Sequence, residues 1–209
     1  HVAEAVRVLS GYGDLLAVRA FASLTDPEAD RADPVLAAFQ RYATVPVLNL
    51  ESARWHPLQG LADTATWMAH LGPDLRGQPL TLSWAPHPRA LPTAVPNQVL
   101  LSAALMGMQV TVAHPQGMDL DPQVMARATS LATAGGGGVR VVHDPDEGAL
   151  GARVLVAKSW SGWSGYADRE AEAQRRAKLV HWRVDADRLA RTDGAGFMHC
   201  LPVRRNVVV

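Results

Sequence analysis

Residues 80–113, LTLSWAPHPRALPTAVPNQVLLSAALMGMQVTVA, decide the fold. Leu80–Trp84 is a short apolar run and reads as a buried strand. A proline-rich turn follows from Ala85 to Pro96, then a helix from Asn97 to Met106, then a second short strand at Gln109–Ala113. A strand, a helical crossover and another strand make the repeating unit of a parallel sheet.

The same rhythm continues downstream. Pro122–Ala134 reads as a helix that stops in the four glycines 135–138, Val139–His143 as a strand and Pro145–Leu150 as a short helix. Val154–Ala157 is a further strand, ending at Lys158-Ser159-Trp160. Residues 161–180 read as a mobile loop and an exposed helix. Upstream, Val2, Val6, Leu9 and Tyr12 recur at helical spacing until Gly11 and Gly13 intervene. Leu15–Val18 is a buried strand that delivers Arg19, and residues 24–33 are a polar loop. Pro34 suits the first turn of a helix through Tyr42. Val45–Leu50 is a strand, and the helix from Pro57 to His70 carries Leu58, Leu61, Ala62, Ala65 and Ala69 on one face. The expected fold is α/β, with two doubly wound parallel-sheet domains, both incomplete. The expected division is 1–56, a bridging helix and linker over 57–77, and 78–209.

A chain of 209 residues with 48% hydrophobic content can bury a substantial core. Twenty basic and twenty acidic side chains cancel, which leaves no electrostatic footprint for nucleic acid or anionic membranes. A single cysteine excludes an internal disulfide framework and makes a reducing, cytoplasmic setting the default. No apolar run approaches the roughly 18–20 residues that cross a bilayer. The chain opens on His1-Val2-Ala3-Glu4 inside a helical pattern and stops at Val207-Val208-Val209, so both ends read as cut.

Ligands of open parallel sheets bind beyond the carboxyl ends of the strands. Polar residues cluster there: Arg19, Glu51 and His56, His87 and Arg89, Lys158 and Ser159, then His199 and Cys200. No G-x-G-x-x-G follows a strand and no G-x-x-x-x-G-K-[ST] occurs; the glycines 135–138 precede a strand and read as a helix stop. No histidine pairs at helical spacing with a second metal ligand. His114 and His143 read as surface or strand-end residues. His199 and Cys200, adjacent in a strand, should point to opposite faces and so make a poor base and nucleophile.

Several stretches together carry a family resemblance. His56-Pro57-Leu58-Gln59, Phe197-Met198-His199-Cys200-Leu201-Pro202 and Val18-Arg19-Ala20-Phe21 resemble the aspartate/ornithine carbamoyltransferase superfamily. Trp84-Ala85-Pro86-His87-Pro88-Arg89, Ala94-Val95-Pro96-Asn97, Ala157-Lys158-Ser159-Trp160 and the run His199 to Asn206 look like its N-acylornithine branch. The likeness runs from His1 to Val209 with the motifs in the same order.

The resemblance implies transfer of the carbamoyl group of carbamoyl phosphate to the δ-amine of an acylated ornithine, in arginine biosynthesis, with no metal or organic cofactor. It implies that Arg19 binds carbamoyl phosphate, that His56 donates to the carbamoyl oxygen and that Gln59 holds the carbamoyl amide. Cys200 and Leu201 would present backbone carbonyls, and Arg204 is a candidate anion contact. Glu51, His87, Asn97, Lys158 and Ser159 would line the acylornithine pocket. Glu51 has the alternative of a helix N-terminal carboxylate, and Lys158 that of a solvated strand-end lysine. Ornithine enzymes carry Asp-x-x-x-Ser-Met-Gly near Lys158, where a cation instead suits a substrate whose α-amine is capped. Val208 stands where acetyl-branch sequences tend to have Lys, which leans toward N-succinylornithine, with N-acetylornithine close behind. The family's S-x-R-T-R phosphate loop is absent from these residues, so the 209 residues alone are expected to be inactive. Relatives are homotrimers with active sites between subunits, and the same is implied here. The competing readings are a carbamoyltransferase for ornithine or another amine, and a binding protein of the same fold without catalysis.

Overall fold

A computed structural model describes residues 1–209. Helix α1 (Val2–Ser10) and strand β1 (Leu16–Arg19) are followed by two helices in tandem, α2 (Pro27–Ala32) and α3 (Pro34–Tyr42). Strand β2 (Val47–Glu51) pairs with β1 in parallel, and α4 (Pro57–Leu71) leads away. The remaining elements are β3 (Pro79–Trp84), α5 (Ala94–Leu105), β4 (Gln109–Ala113), α6 (Pro122–Ala134), β5 (Gly138–Val142), α7 (Pro145–Ala149), β6 (Val154–Lys158), α8 (Arg169–Ala177), α9 (Ala186–Leu189) and β7 (Gly196–Met198).

The larger sheet has the order β5-β4-β3-β6-β7, with every pair parallel. The chain runs outward from β3 to β5 and then returns to the other side of β3, so the strand order reverses between β3 and β6. At that switch point Trp84 and Lys158 are register partners at the carboxyl ends. Alternation along the strands separates the two faces. Leu80, Leu82, Val110 and Val112 join the main core with α5 and α6, whereas Thr81 Oγ1 donates to Gly148 O of α7 on the opposite face at 2.6 Å. Strand β6 feeds both: Val154 and Val156 enter the main core, and Leu155 and Ala157 pack with Ala85, Val184 and Val208. The buried tryptophans bring polar atoms that find partners. Trp84 Nε1 donates to Trp160 O at 2.9 Å, and Trp160 Nε1 to Met118 O at 2.7 Å.

Helix α4 packs on both β2 and α5 and so joins the two sheets. Gly60 permits the close approach, since a Cβ there would lie 2.6 Å from Ser102 Oγ of α5. The buried face of α4 is Gly60, Asp63 and Trp67, not the apolar stripe seen in the sequence; Leu61 is 69% exposed. An apolar stripe records what a helix can bury, and within these residues no element lies over Leu58, Leu61, Ala62, Ala65 and Ala69.

Two further expectations are corrected. Residues 24–33 are not all loop, because Asp26 caps α2 by accepting from Glu28 N and Ala29 N and Pro27 opens its first turn. Helix α5 begins at Ala94 and not Asn97, since Pro96 in a first turn sacrifices no helical hydrogen bond. Of the two readings of His114, the strand-end one holds: it follows β4 directly and is 2% exposed, with its ring 5.0 Å from that of His143. The glycine run behaves as expected, with Gly135 capping α6, Gly136 at φ +82° and β5 starting at Gly138.

Candidate active site

Parallel pairing of β1 and β2 slips by one residue after Val18, which sets Arg19 opposite Glu51 at the strand ends. Arg19 Nε donates to Glu51 Oε2 at 3.0 Å. Glu51 is buried, and His56 Nε2 stands 3.7 Å from the same oxygen. His56 Nδ1 is buried without a partner. Nε2, which faces a carboxylate and the cleft, is therefore the ring nitrogen placed to donate, since a proton on Nδ1 would face no partner in the chain. His56 is the N-cap of α4, and Gln59 follows one turn on. The helix N-terminus adds its positive end to this corner. Glu51 precedes the cap by five residues and is bound to Arg19, which excludes the helix-terminal alternative.

These residues face the second sheet. Arg19, Glu51, His56 and Gln59 share a cleft of about 550 Å³ with Lys158, His199, Cys200 and Leu201. Lys158, Cys200 and Leu201 continue into an adjoining cavity of about 230 Å³, where His87, Ser159, Arg204, Leu91 and Val208 complete the wall. Every residue to which the resemblance assigns a role, except Asn97, therefore lines one or both of these two adjoining spaces; Arg89 lines a separate cavity with Ser161 and Tyr166. Asn97 is buried beside it, where its Nδ2 donates to Arg54 O and Thr93 Oγ1, both at 3.2 Å. Ser159 Oγ is buried with no partner in the chain. No three His, Cys, Asp or Glu side chains converge in a metal-binding arrangement.

The cations Arg19, Lys158 and Arg204 face a single carboxylate, Glu51, which Arg19 already engages. This is a space for anions. Two of its histidines, His87 and His199, are shifted away from the charged form. Burial lowers His87 from the usual imidazole value, and Arg204, Lys158 and Arg176 push the same way against a backbone bond to Arg89. Burial likewise lowers His199, together with Lys158 and His87 and against its bond to Cys200 O. His199 and Cys200 lie just beyond β7 and line the same cleft, contrary to the opposite faces expected. They still make no thiol–base pair, because the His199 Nδ1 contact is with the Cys200 carbonyl oxygen.

A second layer closes over the strand ends. Arg31 Nε and Nη2 reach Asp121 at 3.1 and 3.2 Å, and its guanidinium lies 4.4 Å from the Trp163 ring centre. Tyr166 Oη donates to Asp30 Oδ2 at 3.0 Å, and Arg169 donates to Ser23 O and Leu24 O. Sequence reading passed over these ties and over Asp63, which accepts from Gln59 Nε2 at 2.8 Å. The signal for Asp63 was its place one helical turn after Gln59.

The chain matches known carbamoyltransferases in sequence and in structure. The family models for the aspartate/ornithine carbamoyltransferase carbamoyl-P binding domain and Asp/Orn binding domain match residues 1–69 and 93–209. The chain is 43% identical, over 99% of its length, to an N-acetylornithine carbamoyltransferase of Xanthomonas campestris pv. campestris, and spans 61% of that relative. It is 34% identical over its whole length to an N-succinylornithine carbamoyltransferase of Bacteroides thetaiotaomicron, 60% of which it covers. A crystal structure of acetylornithine transcarbamylase complexed with acetylcitrulline superposes with a TM-score of 0.95 at 42% identity, over 99% of this chain and 62% of that one.

Proposed function

Because the chain belongs to the aspartate/ornithine carbamoyltransferase family, we propose that the full-length protein transfers the carbamoyl group of carbamoyl phosphate to the δ-amine of an N-acylornithine. The products are N-acylcitrulline and phosphate, in arginine biosynthesis. The observation that carries this reading is the continuous cleft in which Arg19, His56 and Gln59 face Lys158, Cys200 and Leu201.

Attack by a neutral amine places negative charge on the carbamoyl oxygen as phosphate departs. The Nε2–H of His56 and the guanidinium of Arg19 meet that charge and the leaving phosphate. Gln59 and the carbonyls of Cys200 and Leu201 take the N–H groups of the carbamoyl and the attacking amine, and hold the two reactants in line. Lys158 and Arg204 hold carboxylates of the acceptor. The reading calls for no cofactor, and its support for a homotrimer with shared sites is the family resemblance.

Within the acyl class, N-succinylornithine is the proposed acceptor. In its favour, the cavity wall carries two cations, Lys158 and Arg204, together with the apolar Leu91 and Val208. N-acetylornithine is the second reading, favoured by the higher identity to the acetyl enzyme, 43% against 34%. The test incubates the full-length gene product with carbamoyl phosphate and each acylornithine in turn. One phosphate per N-acylcitrulline supports the proposal, and no product from either acceptor contradicts it.

A further inference from the structure

Asp63 is a buried acid in the middle of a helix. It is 5% exposed on α4, and the one side-chain hydrogen bond it accepts comes from Gln59 Nε2 at 2.8 Å. Aspartate is a poor residue for a helix interior, and a buried carboxylate with a single partner costs stability. Asp63 adjoins a space of about 30 Å³ walled by Val156, Lys158, Met198, His199 and Cys200. What the carboxylate does supply is direction.

An ionised carboxylate only accepts hydrogen bonds, so the group that Gln59 turns toward it is the NH₂. The amide oxygen on the same carbon then points the other way, and Gln59 lines the cleft with Arg19 and His56. A carbonyl oxygen facing that space accepts an N–H; an amide flipped by half a turn would present two N–H groups and repel one. We propose that Asp63 is a positioning residue for carbamoyl transfer: it fixes the Gln59 amide so that its oxygen, and not its nitrogen, meets the NH₂ of the carbamoyl group. Burial raises the Asp63 carboxyl from the ordinary carboxylate range, while the Gln59 bond and the nearby His56 oppose that rise. The inference rests on the function proposed above and adds how the site would prefer a carbamoyl over an acyl phosphate.

Acetyl phosphate isolates this contact, because it replaces the carbamoyl NH₂ with a methyl group and leaves the phosphate unchanged. Binding of carbamoyl phosphate and of acetyl phosphate is measured on the full-length protein, on Asp63→Leu and on Gln59→Met. Asp63→Leu is expected to lower the preference for carbamoyl over acetyl phosphate about tenfold, the scale of one neutral hydrogen bond. It should leave acetyl phosphate binding within about twofold and add nothing in the Gln59→Met background. Equal weakening of both ligands, or an unchanged preference, overturns the proposal. Asp63→Asn has the same shape and can turn its own NH₂ toward Gln59. It is read in parallel in case Asp63→Leu does not fold, with about a threefold loss of preference expected and an unchanged preference again overturning the proposal. A parent protein that turns over no carbamoyl phosphate would instead sink the function itself, before any variant is compared.

Discussion

Arg19 and Glu51 meet at the carboxyl ends of adjacent parallel strands, with Nε and Nη2 of the arginine 3.0 and 2.9 Å from the same carboxylate oxygen. The acid is the fixed partner, with 9% of its side chain exposed against 58% for the base. Glu51 thus aims a guanidinium that still reaches the cleft.

Removing either donor at this corner should be costly for turnover. Arg19→Ala or His56→Ala in the full-length protein is expected to cut turnover at least about a hundredfold, the scale of losing one oxyanion donor. Steady-state kinetics check this, and a near-parental rate for either variant shows that the assigned roles are wrong.

Glu51→Gln should separate aim from stability. More than half of the Arg19 side chain is exposed, so the pair contributes at most about 1 kcal/mol and the unfolding midpoint should barely move. Turnover should fall about tenfold as Arg19 loses its charged anchor, roughly the difference between a charge-assisted and a neutral hydrogen bond. A large drop in the midpoint with unchanged turnover would reverse the assignment.

Asp121 ties the closing layer to the sheet. It accepts from Gln123 N at 2.9 Å as the cap of α6, and it holds Arg31, over whose guanidinium Trp163 packs. Asp121→Ala should cost about 1 kcal/mol from the cap alone and release the segment from Trp163 to Arg169. Limited proteolysis should then cut within residues 161–180 faster than in the parent. An unchanged digestion pattern contradicts the tie.

Acid should weaken the fold in a defined window. Burial lowers His114 from the usual imidazole value, against its bond to Pro115 O and the charge of Asp119. The unfolded chain therefore takes up protons first as pH falls through about 6.5, and stability is present above that pH and lost below it. His87 and His199 shift in the same direction. The unfolding midpoint should drop between about pH 7.5 and about pH 5.5, and the drop should shrink in His114→Gln. An equal drop in parent and variant removes His114 from the account.

Much of this was legible in the sequence wherever two signals coincided. Helix α6 reads correctly because Asp121-Pro122 starts it and Gly135 ends it, and β4 because an apolar run is bounded on both sides. The start signal Asp26-Pro27 was equally present for α2, but the surrounding polar residues read as loop. On α4 the apolar stripe pointed to the wrong face, because Trp67 and Gly60 make the contacts while Leu61 stays exposed. The cleft was legible as a set of strand-end residues, since parallel strands must deliver their carboxyl ends to one edge. Asp63 was not, because an acid within a helix ordinarily marks the solvent face. The Asp121–Arg31 tie joins residues 90 positions apart, which no local pattern reports.

If Lys158 and its neighbours form the proposed site for an ornithine whose α-amine is capped, acylation of the acceptor should decide turnover. The most direct test is the ratio of kcat/KM for acylated over free ornithine, measured on the full-length protein with saturating carbamoyl phosphate. N-succinylornithine or N-acetylornithine should turn over at least about a hundredfold better than free ornithine, whose free ammonium would sit against the Lys158 cation at a cost of several kcal/mol. A ratio at or below one would contradict it.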